Sequence, residues 1–81
     1  MWYDLRILPD AERDLRGMSP EVARRVLRKL EAMQNDLAGD VKRLVALPYA
    51  YRLRVGDWRV MFDVVDQTII VHRVRHRSIA Y

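Results

Sequence analysis

The 81-residue sequence contains no cysteine, which excludes disulfides, thiolate nucleophiles and cysteine-ligated zinc and fits a reducing cytoplasm. It also has no apolar run approaching the ~20 residues that a membrane-spanning helix needs. The longest such stretch, Leu44 to Tyr51, is interrupted by Pro48. No signal peptide opens the chain, so a cytoplasmic location is expected. A Walker loop, GxGxxG, HExxH, an EF-hand loop and a nucleophile elbow are all missing, and the only serines are Ser19 and Ser78. These absences argue against nucleotide-dependent enzymes and serine hydrolases. There is no internal repeat, low-complexity segment or linker, so residues 1–81 read as one domain whose small core draws on nearly every element.

What the sequence does have is arginine. Residues 1–41 hold seven basic against eight acidic side chains, whereas residues 42–81 hold eight against three, so the whole formal excess of +4 lies in the second half. Of the fifteen basic residues thirteen are arginine, the side chain whose planar fork matches phosphate in a bidentate fashion. Such a surface attracts polyanions.

Periodicity gives the element order. Trp2 to Leu8 alternates, with Tyr3, Leu5 and Ile7 on one face and Asp4 and Arg6 on the other, and Pro9 ends this first strand. A short helix is expected from Asp10 as cap, through Ala11 and Leu15, to Gly17-Met18. Ser19-Pro20-Glu21 is a stronger helix start, combining an N-cap, a proline at the first position and an acid in the first turn. The second helix should run to about Asp36 and bury Val22, Val26, Leu30, Met33 and Leu37, widened by Ala23 and Leu27. Its opposite face carries Arg24, Arg25, Arg28 and Glu31, most simply a solvated surface. After Ala38-Gly39-Asp40, a short extended segment in Val41 to Leu47 precedes strands at Tyr51–Val55, Trp58–Val65 and Thr68–Val74. Gly56-Asp57 and Asp66-Gln67 supply the two tight turns. The fold class is therefore α+β: an N-terminal strand, a two-helix hairpin, then a three- to four-stranded antiparallel sheet with helices on one face. Apolar on both faces, Ile69, Ile70 and Val71 place the last strand centrally, with cover beyond the helices.

Alternation also sorts the closing segment. Leu53, Val55, Val60, Phe62 and Ile70 are expected to hold the sheet, while Arg52 and Arg54 project from the other side. Any one arginine reads as solvated; six on one antiparallel unit point to anion binding. His72 and His76 have a spacing that suits metal ligation on a helix, but on a strand they stand about 13 Å apart and cannot share an ion. A structural role suits His72, and no metal or cofactor is expected. Trp2, Tyr3, Trp58, Phe62 and the methionines read as core.

The order of elements, with GDVKRL at 39–44, YRLRVGDWRVMFDV at 51–64 and HRSIAY at 76–81, resembles the RelE/ParE superfamily of type II toxin-antitoxin systems over essentially the whole chain. The short helical hairpin and basic sheet resemble the RelE branch in particular. That resemblance implies a toxin that enters the ribosomal A site and cuts messenger RNA with the ribose 2′-hydroxyl as nucleophile, held inactive by an acidic, partly helical antitoxin. Hetero-oligomers of toxin and antitoxin would follow. By position the implied site comprises Arg52, Arg54, Arg59, Arg77 and Tyr81. ParE-like members instead poison DNA gyrase, and a member that only binds its antitoxin is a further alternative.

Such cleavage needs a proton acceptor, cations against the phosphorane-like charge, and an acid for the leaving 5′-oxygen. Arg59 and Arg77 suit the second role, and Tyr81 can stack on an unpaired base. Well-studied RelE-type enzymes carry lysines where this chain has Arg52 and Arg54, and arginine stays charged and is a poor general base. His76, beside Arg77, is the candidate base.

Overall fold

The computed structural model describes residues 1–80. In chain order the elements are β1 (Asp4–Ile7), α1 (Pro9–Arg16), α2 (Pro20–Met33), β2 (Asp40–Arg43), β3 (Tyr51–Val55), β4 (Trp58–Val65) and β5 (Thr68–His76), closed by a 3-10 turn at Arg77–Ile79. All five strands form one sheet in the order β1-β5-β4-β3-β2. The N-terminal strand is thus part of the main sheet, and it runs parallel to β5 while the other pairings are antiparallel. Because β1 and β2 are opposite edges, the helical hairpin between them carries the chain across one face of the sheet.

That face is the core. Val26, Leu30 and Met33 from α2 and Ala11 from α1 are buried against Leu53, Val55, Val60, Phe62, Ile69, Val71 and Val74. Ile70 is not among them. It pairs with Asp63 and points away, whereas Ile69 and Val71 share the inward register with Val64 and Phe62. Trp2 and Met1 are likewise outside the core: Trp2 sits beyond β1 in an isolated bridge to Asn35 and is 57% exposed, and Met1 is 70% exposed.

The local signals explain most boundaries. Ser19 caps α2, its Oγ accepting the Val22 N–H at 3.4 Å, with Pro20 at the first position. The helix ends at Met33 rather than Asp36, because Asp36 and Leu37 take positive φ and the Asp36 N–H bonds the Met1 carbonyl. Asp10 does not cap α1: the helix begins one residue earlier at Pro9, whose fixed φ and missing N–H suit the first position, and Asp10 becomes a first-turn acid. Positive φ at both Asp66 and Gln67 gives the type I′ turn that suits a two-residue hairpin, and positive φ at Gly56 alone gives the type II′ pattern. β5 continues to His76, two residues beyond the expected Val74.

One irregularity sets which side chains of β5 reach the outer face. A bulge lies where the register between β4 and β5 shifts at Met61/Phe62: Phe62 faces Val71 but Met61 faces Arg73, leaving His72 as the extra residue. On the outer face, His72 Nε2 meets Asp63 Oδ2 at 2.8 Å, and the other Asp63 oxygen accepts the Ala50 N–H at 2.7 Å. Tyr49 packs its ring 5.2 Å from His72. The segment before β3 is thereby tied over the sheet face opposite the helices, supplying the second cover expected for β5.

Candidate functional site

Register decides which arginines meet. On the outer face Arg54 lies opposite Arg59, and Arg59 opposite Arg75, so three arginines rooted on three adjacent strands form one cross-strand row. Cβ atoms of directly opposed residues are about 4.5–5.5 Å apart, and like charges there repel. None of the three takes part in an ion pair among the described residues. Arg59 instead turns its Nη1 to the carbonyls of Gly56 (2.8 Å) and Trp58 (3.1 Å). An unneutralised row of this kind opposes folding, and an anion laid across it relieves the repulsion.

The neighbouring row is built differently. Arg52 and Arg73 flank Met61, which is fully buried although it lies on the outer face. Arg52 is only 15% exposed and donates from Nη1 to the Asp40 carbonyl at 2.9 Å and to Asp40 Oδ1 at 3.3 Å. Arg73 is held by Asp14 through two parallel bonds, Nε to Oδ2 at 2.9 Å and Nη2 to Oδ1 at 3.0 Å. Asp14 Oδ2 also accepts the Val74 N–H at 2.9 Å, so α1 covers the β5 edge left open where β1 ends. Burial alone pushes the Asp14 carboxyl up, but the bonds from Arg73 and Val74, with the charges of Arg73 and Arg75, bring it below its ordinary value of 3.8. In this row the arginines secure the fold; in the other they stand unpaired.

His76 lies on the opposite face from these rows. It is paired with Trp58, the rings meeting edge to face at 5.5 Å. Its Nδ1 accepts the Ser78 N–H at 3.3 Å and contacts Ser78 Oγ at 3.0 Å, which puts the proton of the neutral ring on Nε2 and engages the basic nitrogen. The imidazole opens into a cleft of about 480 Å³ at the open β5 edge, lined by Arg13, Asp14, Met18, Trp58 and Ile79 and shared with Arg75 of the row. Arg77 is moored to the β3–β4 hairpin: its N–H donates to the Asp57 carbonyl at 2.7 Å and its Nε lies 3.6 Å from Asp57 Oδ1.

Of the residues singled out from the sequence, Arg54 and Arg59 are brought together, with Arg77 at the same end of the sheet. Arg52 is adjacent but committed to Asp40, His76 faces the other way, and Tyr81 lies outside the described residues. Arg75 completes the row and was not among them. Its signal, the alternation of Arg73, Arg75 and Arg77, becomes readable only once the bulge is known. Among the described residues no group of three or more acidic or imidazole side chains could hold a metal ion.

A family model described as the ParE toxin of the type II toxin-antitoxin system parDE matches residues 5–81. Toxin RelE3 of Methanocaldococcus jannaschii is 34% identical over 74 residues, covering 85% of this chain and 84% of that protein. The fold is similar to that in the archaeal RelE-RelB complex from Pyrococcus horikoshii, with a TM-score of 0.80 and 25% identity over 99% of this chain and 100% of that one. It is similar also to the RelBE2 toxin-antitoxin complex from Mycobacterium tuberculosis, with a TM-score of 0.82 at 24% identity, covering 95% of this chain and 100% of that one, a likeness of fold. The helical hairpin, the five-stranded sheet and these matches agree: the chain belongs to the RelE/ParE family and is a toxin of a type II toxin-antitoxin system.

Proposed function

We propose that this toxin is a ribosome-dependent endoribonuclease, an mRNA interferase of the RelE kind that stops translation by cutting the message in the A site. The observation that carries the reading is the unpaired row Arg54–Arg59–Arg75 on an exposed sheet face. In the reaction the 2′-oxygen attacks the adjacent phosphorus and loses its proton, the bond from phosphorus to the 5′-oxygen breaks, and that oxygen is protonated as it leaves. Charge accumulates on the phosphoryl oxygens between these events. Fixed guanidinium groups lower that barrier without having to reorganise. Arg77 extends the cationic end of the sheet, and Tyr81 is assigned to stacking on a base. The row itself stays protonated and takes no proton from the 2′-hydroxyl; His76 is the titratable group nearest in sequence.

The complex of the archaeal RelE relative with RelB supports a hetero-oligomer with a cognate antitoxin, and an acidic one would complement the basic face. A cytoplasmic setting follows from the ribosomal target; no helix among the described residues is long and apolar enough to cross a membrane. A second reading, inhibition of DNA gyrase, is kept because the matching family model is that of the ParE toxins. A third, antitoxin binding without catalysis, draws on the commitment of Arg52 to Asp40. Brief induction in cells, followed by sequencing of RNA 5′ ends, separates them. The nuclease reading expects new ends within translated codons for the parent and none for Arg59→Ala or Arg77→Ala. Intact messages with a DNA-damage response would favour gyrase, and intact messages without one would favour the non-catalytic member.

A further inference from the structure

The cationic surface does not end with the row. At the β3–β4 turn Gly56 adopts φ +57, and a Cβ built there would lie 2.8 Å from Arg25 Nη2 of α2. Gly56 also receives Arg59 Nη1 on its carbonyl at 2.8 Å. The next residue, Asp57, holds Arg77 by its carbonyl and carboxylate. Three arginines from three separate elements, helix, strand and 3-10 turn, therefore close around a two-residue hairpin with one carboxylate among them. Arg25 is exposed and has no ion-pair partner among the described residues, although Glu21 is one turn away on the same helix. The bare Gly56 backbone leaves room for the Arg25 guanidinium beside the hairpin, with no counter-charge on it.

We propose that this collar is a phosphate-binding site in its own right, and that Arg25 grips the RNA backbone one or more nucleotides beyond the phosphate that Arg54, Arg59 and Arg75 engage. The site rests on the endoribonuclease reading and adds to it a binding residue from the helical layer. Its ligand class is the phosphodiester of single-stranded RNA, since a hairpin tip offers guanidinium forks but no groove for a duplex.

The test uses the full-length toxin and a fluorescent single-stranded RNA with 2′-O-methyl groups that block cleavage, titrated by anisotropy over a range of salt. Arg25→Gln should weaken binding about tenfold, the loss of one charge-assisted contact, and should lower the slope of log K against log salt by about 0.7. Arg25→Lys should recover part of the affinity, and Arg28→Gln, an exposed arginine of the same helix, should match the parent. Equal affinities for the parent and Arg25→Gln would overturn the collar while leaving the nuclease reading intact. Equal losses at Arg25 and Arg28 would also overturn it, reducing the effect to net charge. A parent that binds no free RNA would likewise overturn the collar as a site in its own right, while the nuclease reading, which depends on the ribosome, is decided by the 5′-end sequencing.

Discussion

Asp14 illustrates how one side chain is selected for work that its neighbours do not share. Of the three acids in α1, it alone reaches the free edge of β5, where Arg73 and the Val74 N–H both donate to it. It keeps its charge below the usual carboxylate range, so it contributes stability that is fully present above the ordinary value and is lost as pH falls through the lowered one. Asp14→Asn should therefore destabilise the protein by about 2 kcal/mol at neutral pH, a fall of roughly 10 °C in thermal midpoint for a chain of this size. The deficit should shrink as parent and variant are titrated from pH 5 to pH 2. Thermal unfolding across that range checks it, and a deficit independent of pH would contradict the assignment. Arg59 behaves in the opposite way. Standing between two like charges, it opposes folding, so Arg59→Ala should leave stability unchanged or raise it by up to ~0.5 kcal/mol while lowering RNA cleavage by about 100-fold or more. Equal losses of stability and activity would show a structural arginine instead.

At the scale of elements, the bulge in β5 is what makes the site. Counted forward from the Asp66-Gln67 turn, regular alternation would turn Arg73 and Arg75 into the core and Val74 out of it. The extra His72 corrects this, returning Val74 to the core and Arg75 to the row beside Arg59. This is also where sequence reasoning reaches its limit. Leu53, Val55, Arg52 and Arg54 lie in an uninterrupted strand and sort correctly by alternation, as do the Ser19-Pro20 start of α2 and both tight turns, whose determinants are local. Arg75, His76 and Asp14 depend on a register shift and on a contact spanning 59 residues, which no window of periodicity contains. Ile70 and Trp2 lie outside the core for one reason: apolar character does not say which face a strand presents or where its pairing stops. Deleting His72 should consequently be tolerated, because it regularises the strand and preserves the Arg59–Arg75 register. The cost should not exceed ~2 kcal/mol, from the lost Asp63 and Tyr49 contacts, with RNA cleavage retained. Circular dichroism and a cleavage assay would check this, and loss of fold would show that the bulge is needed for more than register. At the hairpin, Gly56→Ala should cost about 1 kcal/mol for a side chain forced into positive φ and should displace Arg25.

The whole molecule divides its labour by face. One side of the sheet takes both helices and supplies nearly all the buried apolar surface; the other carries the cationic row and, among the described residues, is covered by the segment before β3. The charge asymmetry read from the sequence, neutral to acidic in residues 1–41 and basic in residues 42–81, therefore maps onto the sheet more than onto a separate lobe, with Arg25 the point where the helical layer joins the basic surface. A face of this composition repels itself and suits a polyanion, whether the RNA of the proposed cleavage or an antitoxin of opposite charge. The central claim is that the row Arg54–Arg59–Arg75 is where messenger RNA is cut. It is tested most directly by toe-printing on purified ribosomes programmed with a defined message and stalled with an empty A site. The parent toxin should produce a cut within the A-site codon and Arg59→Ala none, with both proteins equally folded; an uncut message with the parent, or an identical cut with Arg59→Ala, would contradict it.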